Sequence, residues 1–165
     1  DETAFHARRA MRLATTPSML HIIGAWLLAD CGYREEAIDE FRRTSTAHEG
    51  NLLGILASFH AKVLVGDEAG ALTSGAELDG AVRNEWSALL VAEGYALLGR
   101  HADAVRWLRS AVAMGFVNHP FLSQHSRHLA PLRSDPEFEA LLCEVYPRWQ
   151  RLAAWERTNS HNQVR

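Results

Sequence analysis

The sequence predicts an all-α protein assembled from short antiparallel helical hairpins. Three observations predict it. Apolar residues recur at spacings of three and four, as in Ile22, Trp26 and Ala29 or Leu108, Ala111 and Val112, while strand-like alternation is almost absent. None of the five prolines falls between Pro17 and Pro120, so that stretch is free for uninterrupted helices. Isolated glycines at Gly32, Gly66 and Gly99 then break it at regular intervals.

Caps and breaks give helices near Thr3–Ala14, Ser18–Asp30, Arg34–Ala47, Leu52–Val65, Glu68–Leu78, Glu85–Leu98, Ala102–Met114 and Pro120–Arg127. A longer closing segment runs from about Asp135 to Glu156. In the first helix Ala7 and Ala10 are in phase, and Arg8, Arg9 and Arg12 read as a solvated basic turn. Ser18 starts the second helix, which stops at the Cys31-Gly32-Tyr33 turn. The third opens with Glu35, Glu36, Asp39 and Glu40, which suit the positive end of the helix dipole and solvate the outside. Gly66-Asp67 ends the fourth helix. The fifth segment carries Gly70, Gly75 and Gly80, each costing about 1 kcal/mol against alanine in a helix interior. Ser87 reads as a helix start, and Gly99-Arg100-His101 turns the chain into the seventh helix, which Gly115 ends. Ser134 and Glu137 have the spacing of a capping box for the closing helix, with Asp135 and Pro136 in its first turn. Phe138, Leu141, Leu142 and Val145 then form an apolar stripe. Pro147 is expected to kink or restart this helix, with Trp149, Leu152 and Trp155 continuing the seal and Thr158–Arg165 forming a frayed polar tail.

Helices joined by connectors this short must pack on each other as αα-hairpins. The hairpins are periodic. Gly32, Gly66 and Gly99 are 34 and 33 residues apart, and each is followed five residues later by an alanine: Ala37, Ala71 and Ala104. Glycine permits the turn, and the small alanine permits close approach of the second helix to the first.

With 165 residues, the chain suits one domain or one short repeat array and can bury roughly 70% of its unfolded surface. Its 47% hydrophobic and 22% charged content argues against disorder. A net charge of -3 leaves no basic field for a phosphate backbone, and no apolar run is long enough for a bilayer span, so neither nucleic acid nor membrane is an expected partner. Cys31 and Cys143 have no metal or redox spacing and read as buried free thiols in a reducing, cytoplasmic setting. The first residue, Asp1, leads to the expectation of a fragment or a processed product.

Catalytic constellations are missing from the sequence. Zinc requires three or four converging ligands, and the nearest candidates are His119, His125 and His128, with His101 and Glu93. There is no HExxH and no cysteine pair, so these histidines read as solvent-facing or capping. No GxSxG elbow or phosphate-cradling loop occurs. Ser18, Ser87 and Ser134 read as helix starts, and Cys143 as a packed thiol. The expectation is no enzyme, no metal and no cofactor.

The turn-and-alanine pattern resembles the tetratricopeptide repeat (TPR) family. Ser18–Asn51, with Gly32, Tyr33, Ala37 and Phe41, is one match, and Glu85–Asn118, with Ala92, Tyr95, Gly99, Ala104 and Leu108, is another. Leu52–Asn84 matches at Gly66 and Ala71, and Thr3–Pro17 looks like the second helix of a truncated repeat. The family's tryptophan is out of register, and its late proline is replaced by Glu49, Arg83 and Phe116. Gly115–Leu142 resembles a closing segment after such repeats in some bacterial multidomain regulators, including kinases and cyclases. The resemblance implies a right-handed superhelical stack over 1–118 (a partial repeat 1–17, then repeats 18–51, 52–84 and 85–118), a cap over 119–157 and a tail over 158–165.

The resemblance also implies a concave groove lined by the first helix of each pair. Its positions fall on Met19, Ile22, Trp26 and Asp30, then Leu53, Leu56 and His60, then Trp86, Leu89 and Glu93. The family's carboxylate-gripping lysine, arginine and asparagine are not there, since Ile22 and Trp26 hold those places. Such a lining suits an amphipathic helix or hydrophobic peptide. Trp26, Trp86 and Leu89 have a second reading as core between hairpins. The expected function is a protein–protein interaction module binding a peptide or partner domain. A structural domain, or one that self-associates as a homodimer, is the alternative, and a metal-dependent helical enzyme a distant third.

Overall fold

The structure is a computed structural model and describes residues 2–160. The regular structure among the described residues is entirely helical, with no strand. The helices are α1 (Glu2–Leu13), α2 (Met19–Asp30), α3 (Arg34–Ala47), α4 (Leu52–Val65), α5 (Glu68–Leu78), α6 (Glu85–Leu97), α7 (His101–Ala113) and α8 (Pro136–Ser160). Between α7 and α8 lie a π-helical turn, Phe121–His125, and a 3-10 turn, Ala130–Leu132. None of these helices is long and apolar enough to cross a membrane.

The chain divides into two compact units, one ending at Arg83 and one beginning at Asn84. In the first unit each helix from α1 to α5 packs on the next. In the second, α6 and α7 form a hairpin, α8 packs on α7 and the 3-10 turn packs on α6. The segment expected as a separate cap thus belongs to the same unit as the repeat before it.

One turn geometry is used four times. The Tyr33 N–H donates to the Leu28 carbonyl at 2.9 Å while the Gly32 N–H donates to Ala29 at 3.0 Å, and the same pair of bonds recurs around Gly66, Gly99 and Gly115. These satisfy carbonyls that a helix end would leave bare, and they place the glycine at positive φ: +90° at Gly32 and +70° at Gly99. Five residues beyond the first three of these glycines, Ala37, Ala71 and Ala104 are fully buried, as close helix approach requires.

Several sequence expectations are corrected. The cap of α8 is Asp135, not Ser134: Asp135 Oδ1 accepts the Glu137 and Phe138 N–H groups at 2.9 and 3.3 Å, while Glu137 turns to Arg109 at 3.2 Å. Asn84, not Ser87, caps α6, accepting the Ser87 N–H at 2.9 Å and leaving Ser87 itself buried. Helix α8 runs through Pro147 without a restart. The seal ends early: Phe138, Leu141 and Val145 are buried, but Leu152 and Trp155 are exposed. Of the tail expected over 158–165, Thr158 and Asn159 remain helical, bonded to the Ala154 and Trp155 carbonyls, and residues 161–165 lie outside the described residues, as does Asp1. Neither thiol is in the core, since Cys143 is exposed and Cys31 half-buried.

Helix α5 forms with Gly75 in its interior, while its other two glycines lie at or beyond its ends. Gly80 lies beyond the helix, and Gly70 sits in the first turn, where its N–H meets the capping Asp67 carboxylate at 2.9 Å. A Cβ at Gly70 would run into that carboxylate.

Candidate binding surfaces

The structure sends most of the expected groove residues into the core. Ile22, Leu56 and Leu89 occupy one repeat position, and all three are buried. Trp26, His60 and Glu93 occupy another and are buried too. The Trp26 and His60 rings meet edge-on at 4.5 Å, and Phe41 stacks on His60 at 5.3 Å, so this position joins neighbouring hairpins within the first unit. His60 Nδ1 also hydrogen-bonds the Leu56 carbonyl at 2.7 Å. Of the third position, Met19 and Leu53 are half-buried, as is Asp30 at the end of α2. Only Trp86 opens to solvent, at 53% exposure, packed edge-on against Phe116 at 5.6 Å.

Glu93 is a buried carboxylate whose oxygen accepts the Ser126 hydroxyl at 2.6 Å, and Ser126 Oγ in turn accepts the Leu129 N–H at 3.2 Å. It therefore ties α6 to the connection between α7 and α8. The histidines considered as metal ligands are dispersed. His119 packs on Tyr146 at 5.0 Å, His101 lies 3.5 Å from Asp135, His125 is exposed and His128 is buried. Among the described residues no three His, Cys, Asp or Glu side chains are placed to hold a metal ion. The expectation of solvent-facing or capping histidines fails for His128, which is interior.

Among the grooves that remain open, three bear on binding. The first, about 500 Å³, lies along α1 and α2. Ala7, Ala10 and Gly24 line it, together with Leu20, Ile23 and Leu27, which follow one face of α2 and are all solvent-exposed. Gly24 keeps the helices close, since a Cβ there would lie 2.7 Å from Met11 Cγ. The sequence did signal this surface. Helix α2 is apolar all round, and a helix that is apolar all round needs cover on every side. Reading by repeat position assigned the groove to the inward face instead.

The second groove, about 440 Å³, is polar and lies between α1, the start of α2 and α3. Here Arg8 donates to both carboxylate oxygens of Glu36, from Nε at 2.9 Å and from Nη2 at 2.6 Å, and its guanidinium stacks over the Tyr33 ring at 4.3 Å. These hydrogen bonds to Glu36 raise the Arg8 pKa, and those from Arg8 hold the Glu36 carboxyl below its ordinary value against the opposing effect of burial. Arg8 is thus not part of a merely solvated basic turn. On the same wall Arg43 pairs with Glu40 at 2.8 Å.

The third groove, about 310 Å³, is aromatic and belongs to the second unit, where Trp86, Phe116, Trp149 and Leu152 line it. On the α7 side of α8, Arg109 bridges Glu144 at 2.9 Å and Glu137 at 3.2 Å, and these bonds raise its pKa, Glu144 contributing most. No family model, no curated protein and no solved structure matches the chain.

Proposed function

We propose that the chain is a TPR-like interaction module, stacked from helical hairpins, that docks an apolar helical segment of a partner protein along α1 and α2. The observation that carries this is the open groove lined by Leu20, Ile23 and Leu27. Their spacing of three and four along one face of α2 is the register that an amphipathic helix presents to a partner helix. Recurrent glycine turns, buried alanines and the Trp26–His60 contact between hairpins support the TPR-like reading of the first unit. Within this proposal the module is a cytoplasmic, non-catalytic part of a larger regulator, and no cofactor is assigned to it.

Selection of helical peptides from a display library on the wild-type chain tests the docking claim. Selected peptides should carry apolar residues at helical spacing, and Leu27→Glu should weaken them by roughly tenfold or more, because a charge would enter an apolar contact. Peptides that bind Leu27→Glu as well as wild type would remove the groove from the proposal.

Self-association has an observation of its own. The last turns of α8 carry Leu152 and Trp155 into solvent, the latter 64% exposed. Sedimentation velocity on wild type and Trp155→Ser decides this second reading, since a monomer at high concentration ends it.

A further inference from the structure

We infer that the polar groove beside α1 is a receptor for a carboxylate carried on an acidic peptide of a partner. This surface lies on the other side of α1 from the apolar groove, so the inference stands whether or not that groove is used.

Charge accounting chooses the sign of the ligand. The groove is lined by Arg8, Arg12 and Arg43 and by Glu36 and Glu40. Both carboxylates are already engaged, Glu36 by Arg8 at 2.6 Å and Glu40 by Arg43 at 2.8 Å. Arg12 has no carboxylate partner among the described residues. The lining therefore carries one uncompensated positive charge. That matches a monoanion such as an Asp or Glu side chain better than a phosphate dianion.

His21 supplies a second and independent pointer to a ligand. It lines the groove although the residue as a whole is only 2% exposed. Its Nδ1 accepts the Ser18 backbone N–H at 3.1 Å, as part of the cap of α2. That bond fixes the tautomer: the neutral ring carries its proton on Nε2. A buried imidazole with one nitrogen spent on the cap and the other an N–H donor is suited to an acceptor oxygen in the groove. Arg12 on the rim would supply the charge for the same oxygen pair.

The test uses the full chain and a fluorescein-labelled hexaglutamate peptide, with hexalysine as the opposite-charge comparison. Hexaglutamate should bind, move the ring nitrogen resonances of His21 in NMR spectra and weaken as salt is raised. Arg12→Gln should reduce affinity roughly fivefold or more, because an exposed charge-assisted contact is lost. Arg9→Gln removes the same charge from the neighbouring exposed surface and should change affinity less than about twofold. Equal losses in the two variants, or hexaglutamate binding with the His21 resonances unmoved, would overturn the site. Displacement of the peptide by inorganic phosphate at lower concentration than by acetate would overturn the carboxylate assignment.

Discussion

The same repeat position is filled in two ways in the two units of the molecule. In the first it holds Trp26 and His60, whose rings touch each other and Phe41. In the second it holds Glu93, whose carboxylate accepts the Ser126 hydroxyl. The difference follows what each side chain meets. Trp26 meets the next hairpin, whose regular helix satisfies its own backbone and offers apolar surface. Glu93 meets an irregular connection, whose exposed polar groups must be paired if they are buried. A repeat position therefore specifies a direction, and the element lying in that direction selects the chemistry.

The sharpest way to break this comparison is Trp26→Ala. It deletes the largest ring from the cluster and should destabilise the first unit by about 3–5 kcal/mol. Hydrogen exchange read by mass spectrometry should show protection lost over α2–α4. Uniform loss through α6 and α7 as well would mean that the effect is not local. Glu93→Ala should cost less, about 1–3 kcal/mol, since it removes the partner of the buried Ser126 hydroxyl. Its signature is faster exchange of the Leu129 amide, which now depends on Ser126. If that amide keeps its protection, Glu93 does not hold the connection in place.

The smallest effect concerns Arg8 and Glu36, an exposed pair with modest weight. Because hydrogen bonding to Arg8 holds the folded-state Glu36 pKa below its ordinary value, the pair's stabilisation is fully present above that ordinary value. It is lost as pH falls through the lowered folded value. Arg8→Gln should therefore lower the Tm by roughly 1 °C at neutral pH and leave it unchanged in strong acid. A larger deficit in acid than at pH 7 would contradict the pairing.

Among the helices, α3, α4 and α5 were legible to the residue, because their ends are marked by capping side chains and turn glycines close in sequence. Asn51 shows why local signals work: its Oδ1 accepts the Leu53 and Gly54 N–H groups at 2.9 and 3.2 Å, a bond set within four residues. The α8 cap was misassigned because Ser134 and Asp135 are adjacent and chemically equivalent as caps, and only the backbone path picks between them. The binding surface was the least legible part. The family resemblance put Ile22 and Trp26 in a groove, but whether they face a groove or a neighbouring hairpin depends on other helices, as Phe41 and His60 show for Trp26. Leu20, Ile23 and Leu27 were passed over for the same reason.

By itself, then, the sequence determined the helical content, the glycine turns and the buried alanines, all of which rest on bonds and steric limits spanning a few residues. Only the tertiary structure decided that Trp26, His60 and Glu93 are interior, that Arg8 engages Glu36 across 28 positions, and that α1 leaves one apolar and one polar groove beside it. Exposure is a property of what packs around a residue, and packing is settled between elements distant in the chain.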